Sequence, residues 1–223
     1  VMGSYYALYK NEHPLVARAI YEQYLPNGEN SELPNGIFSS IIAISVKFET
    51  LIGLFSIGKI PNGNKDPYAL RRAALGILKI VLNQNLNFDI ASVIKKLAKN
   101  YAKFDENSLI NFLKDRLYSL YDANVSVIKA CINSGENDIK KLNSAIISLD
   151  EISKEADFSE KFATFKRVAN IIKDEKIGVV NEALFENETE ILLNSAFKSL
   201  DLNDEDCKKY LNSLFALKDK IDE

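Results

Sequence analysis

The sequence predicts an all-α chain, and three observations carry that prediction. Apolar residues recur every three to four positions in segment after segment, and none alternates as a half-buried strand would. Prolines stop after Pro67, and Gly178 is the sole glycine beyond Gly135, so the second half has few helix breakers. The turn signals that do occur, Pro26-Asn27-Gly28, Asn35-Gly36 and Pro61-Asn62-Gly63, fall between periodic segments. With 223 residues and 47% hydrophobic content, the chain can bury a core as one large domain or two modest ones.

VMGSYYALYK starts as though already inside a helix, which suggests a piece of a longer chain. Pro14 suits a first helical turn, where its missing N–H has no partner to lose, and Leu15, Ala19, Ile20 and Tyr24 then share a face. That helix is expected to stop near Leu25-Pro26-Asn27-Gly28. The next runs from about Ile37 to Ile57. Ser39, Ser40, Ser45, Lys47, Glu49 and Thr50 interrupt its apolar run, so it reads as a buried helix and not a membrane span. After Pro61-Asn62-Gly63, Asp66 is placed as an N-cap with Pro67 at the first helical position, and a helix follows to about Asn83.

Beyond it come stripes at Ile90, Val93, Ile94, Leu97 and Tyr101, at Leu109, Phe112, Leu113, Leu117 and Leu120, and at Ile139, Leu142, Ala145, Ile146 and Leu149. Phe158, Phe162, Phe165, Val168, Ala169 and Ile172 make another, and two more lie near 184–199 and 204–221. Short polar joints between such stripes describe a helical bundle.

The net charge of -3 conceals an uneven distribution. Residues 1–104 hold 12 Lys+Arg against 7 Asp+Glu, whereas residues 105–223 hold 16 against 24. The strongly basic character of a stand-alone nucleic-acid module is absent, so any RNA contacts must be local. No n-region, h-region and cleavage pattern opens the chain. Cys131 and Cys207 are far apart, without CxxC spacing or a histidine companion, which argues against zinc and against a disulfide framework and fits a reducing cytoplasm.

The residues that could do chemistry are few. His13 is the one histidine, and a place at a helix entry suits it better than catalysis. Lys47-Phe48-Glu49 sits where a phosphohydrolase of the HD type would place a metal carboxylate. Val46 stands at the ligand position, however, and the chain has no His-Asp doublet. The glycines spell neither GxxxxGK[ST] nor a strand-linked GxGxxG. The acidic runs Asp201–Asp206 and Glu186–Glu190 lack the glycine turn and closing glutamate of a calcium loop, and read as solvated faces or helix starts. Phe158, Phe162 and Phe165 at helical spacing read as core before they read as base-stacking platforms.

What remains is the cation cluster Lys65, Arg71 and Arg72 in PNGNKDPYALRRAALGILK. Adjacent helical positions point about 100° apart, so the two arginines serve different surroundings. Two roles are open for them: phosphate binding, or a buried clamp on Asp66 or Glu49.

ETLIGLFSIGKIPNGNKDPYALRRAALGILKIVL closely resembles a segment of the bacterial glycyl-tRNA synthetase beta subunit family, whose pattern is D-T-hydrophobic-x-G-x-F-x-I-G and then P-x-G-x-K-D-P-[FY]-A-L-R-R-A-A-L-G. Upstream, MGSYYAL and VARAIYEQYLP are similar to the family's preceding helices. Downstream, FATFKRVANII resembles the K-R-hydrophobic-x-N-I helix of its DALR-type anticodon-binding domain. The likeness is strongest over residues 47–81 and weaker after 90. Where the family has D-K-x-D, this chain has Val46-Lys47-Phe48-Glu49, which speaks further against metal catalysis, and the end at Lys218–Glu223 stops short of the family's final helix.

The resemblance implies an HD-like helical domain over 1–103 and an anticodon-binding-like bundle over 104–223. It implies that the alpha subunit of a heterotetramer activates glycine with ATP, while the beta subunit recognises glycine tRNA. This segment would then need no cofactor, hold no metal, touch no membrane and catalyse nothing alone. Lys65, Arg71, Arg72, Lys166 and Arg167 become the expected tRNA contacts. The alternative is a non-catalytic scaffold for docking between subunits.

Overall fold

The computed structural model describes residues 1–28, 30–173, 178–200 and 206–222, and among them the regular structure is helical. The chain divides into two compact units, Val1–Asn143 and Ser144–Glu223.

The first unit holds α1 (Met2–Tyr9), α2 (Pro14–Glu22), α3 (Gly36–Ser56), α4 (Leu70–Asn83), α5 (Ile90–Leu97), α6 (Glu106–Lys114), α7 (Val125–Asn133) and the start of α8 (Ile139–Ser153). Its centre is α3, which packs on α2 and α4, while α6 reaches α3, α4 and α5. The buried face of α3 runs through Ala43, Ile44, Phe48, Leu51, Ile52 and Phe55, and α4 answers with Leu70, Ala74, Ile77, Leu78 and Val81. By length and apolar composition α3 could cross a bilayer, but here it is the helix around which the unit packs.

Helix starts follow short polar side chains, as the orphan N–H groups of a first turn require. His13 Nδ1 accepts from the Leu15 N–H at 3.2 Å, which accounts for the single histidine as a helix-entry residue. Asp89 accepts from the Ser92 N–H at 2.6 Å, Asp105 from Asn107 at 3.0 Å and Asn124 from Ser126 at 2.9 Å. The entries to α5 and α8 are laced together, with the Ile90 N–H on the Asn137 carbonyl and the Ile139 N–H on the Phe88 carbonyl, each at 3.1 Å.

One boundary differs from the sequence expectation. α4 begins at Leu70 and not at Pro67, because residues 66–69 close a turn, with the Ala69 N–H on the Asp66 carbonyl at 3.1 Å, and Ala69 takes a left-handed φ of 55°. Asp66 still caps the helix from outside it. Its two carboxylate oxygens accept from the Leu70 and Arg71 N–H groups at 2.9 and 3.0 Å. We expect Asp66→Ala to lower stability by about 1 kcal/mol, read as a drop in the urea midpoint with an unchanged m-value.

The second unit contains α9 (Phe158–Ile171), α10 (Glu188–Lys198), α11 (Cys207–Phe215) and α12 (Lys218–Asp222), with α12 packed on α9 and α10. The aromatic stripe of α9 packs in part: Phe158 and Phe165 are half-buried, while Phe162 is 52% exposed. Phe215 meets Phe158 and Phe165 edge to face, with centroids 6.1 and 5.4 Å away, and Phe162 stacks on Phe158 at 5.6 Å. α10 opens with a capping box in which Asn187 and Glu190 satisfy each other's backbone N–H groups. Of the Asp201–Asp206 acidic run, only Asp206 lies within the described residues, and it caps α11 by accepting from the Lys208 N–H at 3.0 Å.

Candidate nucleic-acid interface

The segment 61–72 is a built loop and not a slack one. Asn62 and Lys65 exchange backbone hydrogen bonds, 3.0 Å from the Lys65 N–H and 3.3 Å from the Asn62 N–H, around Gly63, whose φ of +53° suits a residue without a side chain. The Arg71 guanidinium reaches back eight residues and donates to the Gly63 carbonyl. Asp66 fixes the other end of the loop on the first turn of α4, so loop and helix are joined at both ends.

This arrangement gives the three cations different tasks. Arg71 is half-buried and clamps the loop. Arg72 is exposed, and its Nη1 donates to the Asn27 carbonyl at 3.3 Å, tying the α2–α3 connection to α4. Lys65 is exposed, and its ammonium has no hydrogen bond or ion pair among the described residues. Neither arginine pairs with Asp66, whose oxygens are occupied by backbone N–H groups, nor with Glu49, which faces solvent. The buried carboxylate clamp is thus replaced by a clamp on main-chain carbonyls. Each such bond uses one of a guanidinium's five N–H donors and leaves its charge uncompensated.

Lys166 and Arg167 both lie exposed on α9. Arg167 is engaged by Asp222 of α12, which also accepts from the Thr164 hydroxyl at 2.9 Å and pairs with Lys218 at 3.1 Å. The Thr164 hydrogen bond first, then Lys218, hold the Asp222 carboxyl below its ordinary range. Lys218 is shifted upward by Glu160 and then Asp222. Lys166 has no ion pair among the described residues. Of the two predicted contacts on this helix, Lys166 is uncommitted and Arg167 is shared with a carboxylate.

The sequence presents Lys47 as an interruption of an apolar run and as part of the Val46-Lys47-Phe48-Glu49 stretch weighed for an HD-type metal site, not as a buried cation. In the structure it is 6% exposed, and its Nζ donates to the Tyr24 carbonyl at 3.1 Å. No carboxylate accompanies it among the described residues, and burial pushes its pKa down to about 8. Lys114 is buried too, but Glu136 and Asp89 partly offset the effect of its desolvation. The available signal was positional: Ala43, Lys47 and Leu51 are spaced by four on the core face of one helix.

Residues 1–133 match the family model described as glycyl-tRNA synthetase beta subunit. Among curated proteins, the chain is 41% identical over 210 residues to a glycine–tRNA ligase beta subunit of Helicobacter pylori, covering 90% of this chain and 30% of that protein. It is 34% identical over 223 residues to the Streptococcus suis beta subunit, covering 97% and 33%. To that of Coxiella burnetii it is 33% identical over 245 aligned positions, covering 100% and 35%. The chain thus spans about a third of the length of these relatives. The matched region takes in all of α1 to α7, including the loop clamped by Arg71, and the chain belongs to the glycyl-tRNA synthetase beta subunit family.

Proposed function

We propose that this chain is a tRNA-recognition portion of a glycine–tRNA ligase beta subunit, with Lys65 and Arg72 contacting backbone phosphates and Arg71 holding the loop that presents Lys65. The observation that carries the reading is the rigid 61–72 segment, which sets cations at the surface without carboxylate partners among the described residues. Phosphate contacts of this kind position an RNA without reading its sequence. In this reading ATP-dependent glycine activation belongs to an alpha subunit of a cytoplasmic heterotetramer. In it the HD-like helices run through residue 103 and the anticodon-binding-like bundle starts at 104, with Lys166 and Arg167 as its contacts, whereas the compact units divide later, between Asn143 and Ser144.

In the complete two-subunit enzyme, Lys65→Ala and Arg72→Ala should each weaken binding of glycine tRNA and reduce the slope of log affinity against log salt by roughly one unit. Pyrophosphate exchange with glycine and ATP should be unchanged. Unaltered affinity and slope in both variants would refute the phosphate role.

A scaffold role is the second reading, and one observation favours it. Tyr5, Tyr6 and Tyr9 of α1 and Ile37, Phe38 and Ile41 of α3 are large apolar side chains left exposed. Surfaces of that kind mark protein contacts. In that case charge reversal at Lys65 leaves tRNA binding intact, and polar substitution at Tyr5 and Tyr9 impairs assembly.

A further inference from the structure

We propose that a cleft beside α3 and α4 in the first unit is a phosphate-binding subsite, formed by the ammonium of Lys47 and the guanidinium of Arg72. The cleft has a volume of about 320 Å³ and is lined by Lys47 and Thr50 of α3, by Tyr24 and Asn27 of the α2–α3 connection, by Tyr68, and by Arg72 of α4. Two cations line it, and no carboxylate does among the described residues.

Lys47 is the unusual member. A buried ammonium is ordinarily paired, because desolvation is costly for the charged form. Here one of its three N–H donors is used, on the Tyr24 carbonyl, and two have no acceptor among the described residues. Lys47 occupies this place because Gly76 of α4 has no side chain, and a Cβ there would stand 2.7 Å from Lys47 Cε. An oxyanion in the cleft would supply the missing acceptors and the missing countercharge together. It would also relieve the desolvation that holds the ammonium down to about 8.

Arg72 lies across the same cleft with one nitrogen on the Asn27 carbonyl, leaving its other N–H groups for a second oxygen. Tyr68, Ala69 and Ala73 complete the lining, but the Leu70, Arg71 and Ala73 N–H groups at the start of α4 are already taken by Asp66 and Ala69, so the two cations are the donors the cleft offers. The cleft is unsuited to a metal ion. Its lining offers cations and carbonyls where a divalent cation needs carboxylate or imidazole ligands. The shared chemistry is a phosphate group, carried either by a small phosphorylated molecule or by a polynucleotide backbone. The inference shares Arg72 with the tRNA reading and differs from it in resting on Lys47, which is buried, and not on Lys65.

The test is a titration of the full chain with inorganic phosphate against chloride at matched ionic strength, following the NMR signals of the Lys47 Cε methylene. We expect a saturable shift at Lys47 and none at Lys95, an exposed lysine of α5. Arg72→Ala should weaken the phosphate affinity at least tenfold. Lys47→Met should abolish the phosphate-induced rise in Tm. Two further probes separate the sources: AMP, and a short RNA without terminal phosphates. Tighter saturation by AMP assigns a small phosphorylated molecule, tighter saturation by the RNA assigns a backbone, and either supports the subsite. A non-saturating drift at Lys47 equal to that at Lys95, or an affinity unaltered by Arg72→Ala, overturns it. A tRNA salt slope that depends on Lys65 alongside no phosphate response at Lys47 would sink this inference and leave the tRNA reading standing. A saturable phosphate response at Lys47, with tRNA affinity and slope unaltered in both Lys65→Ala and Arg72→Ala, would do the reverse.

Discussion

Lys47→Met should make the first unit more stable at pH 7, by about 2 kcal/mol. The ammonium sits 6% exposed on the core face of α3 without a carboxylate, and burial lowers its pKa from 10.5 to about 8. Each unit of such a shift is about 1.4 kcal/mol of preference for the neutral form in the folded state, so the gross cost of charging it is on the order of 3 kcal/mol. Methionine matches the lysine side chain as far as Cε and removes the charged end. It forfeits the bond to the Tyr24 carbonyl, worth about 1 kcal/mol, which leaves the net gain.

The pH dependence follows from the direction of the shift. Below about 8 the lysine is charged in both states, and the whole penalty is present. Between about 8 and 10.5 the folded state releases its proton while the unfolded state holds one, so stability contributed by this residue rises with pH. The parent should therefore gain on the variant across that window and lead it by the hydrogen-bond term above it. Urea unfolding at pH 7 reads the full penalty, and at pH 10, still inside the window, reads most of its loss. A midpoint at pH 7 that is equal or lower in Lys47→Met would show that the ammonium is compensated in the native state.

The helical class, the core faces of α3 and α4 and the aromatic packing of α9 were legible because each is written in a period of three to four residues on one element. The start of α4 was less so. Asp66 and Pro67 carry the right signals for a helix start, but the turn at 66–69 moves the first helical residue to Leu70 while the same carboxylate still caps it. Of the candidate site, the sequence showed which cations cluster and not what holds them. Arg71 and Arg72 donate to the carbonyls of Gly63 and Asn27, and every residue carries a carbonyl, so sequence offers no way to choose among acceptors. Lys47 was hidden for a related reason. Its burial depends on Gly76, twenty-nine positions along the chain and on a different helix.

The dependence of Lys47 on Gly76 leads to a double-mutant cycle whose two arms should have opposite signs. In an isolated helix Gly→Ala is favourable by about 1 kcal/mol, since alanine restricts the unfolded chain and glycine does not. At Gly76 the new methyl would meet Lys47 Cε at 2.7 Å, with Lys47 Cδ and Pro26 Cγ both at 3.3 Å. A lysine end is normally free to swing away, but this one is anchored by its Nζ on the Tyr24 carbonyl, so moving it breaks that bond as well. Overpacking of this kind costs about 1–3 kcal/mol, so Gly76→Ala alone should be neutral to destabilising by about 1–2 kcal/mol once the helical gain is set against it. With Lys47→Ala already present the closest atoms are gone, and of the three nearest Pro26 Cγ remains at 3.3 Å, so the same change should stabilise by close to 1 kcal/mol. The coupling is the difference, about 2 kcal/mol, within the range seen for residues in direct contact. Additive effects would mean that Lys47 relocates without loss, into the cleft it lines. In that case Gly76→Ala should also leave phosphate affinity unchanged, whereas a displaced ammonium predicts that affinity and stability fall together.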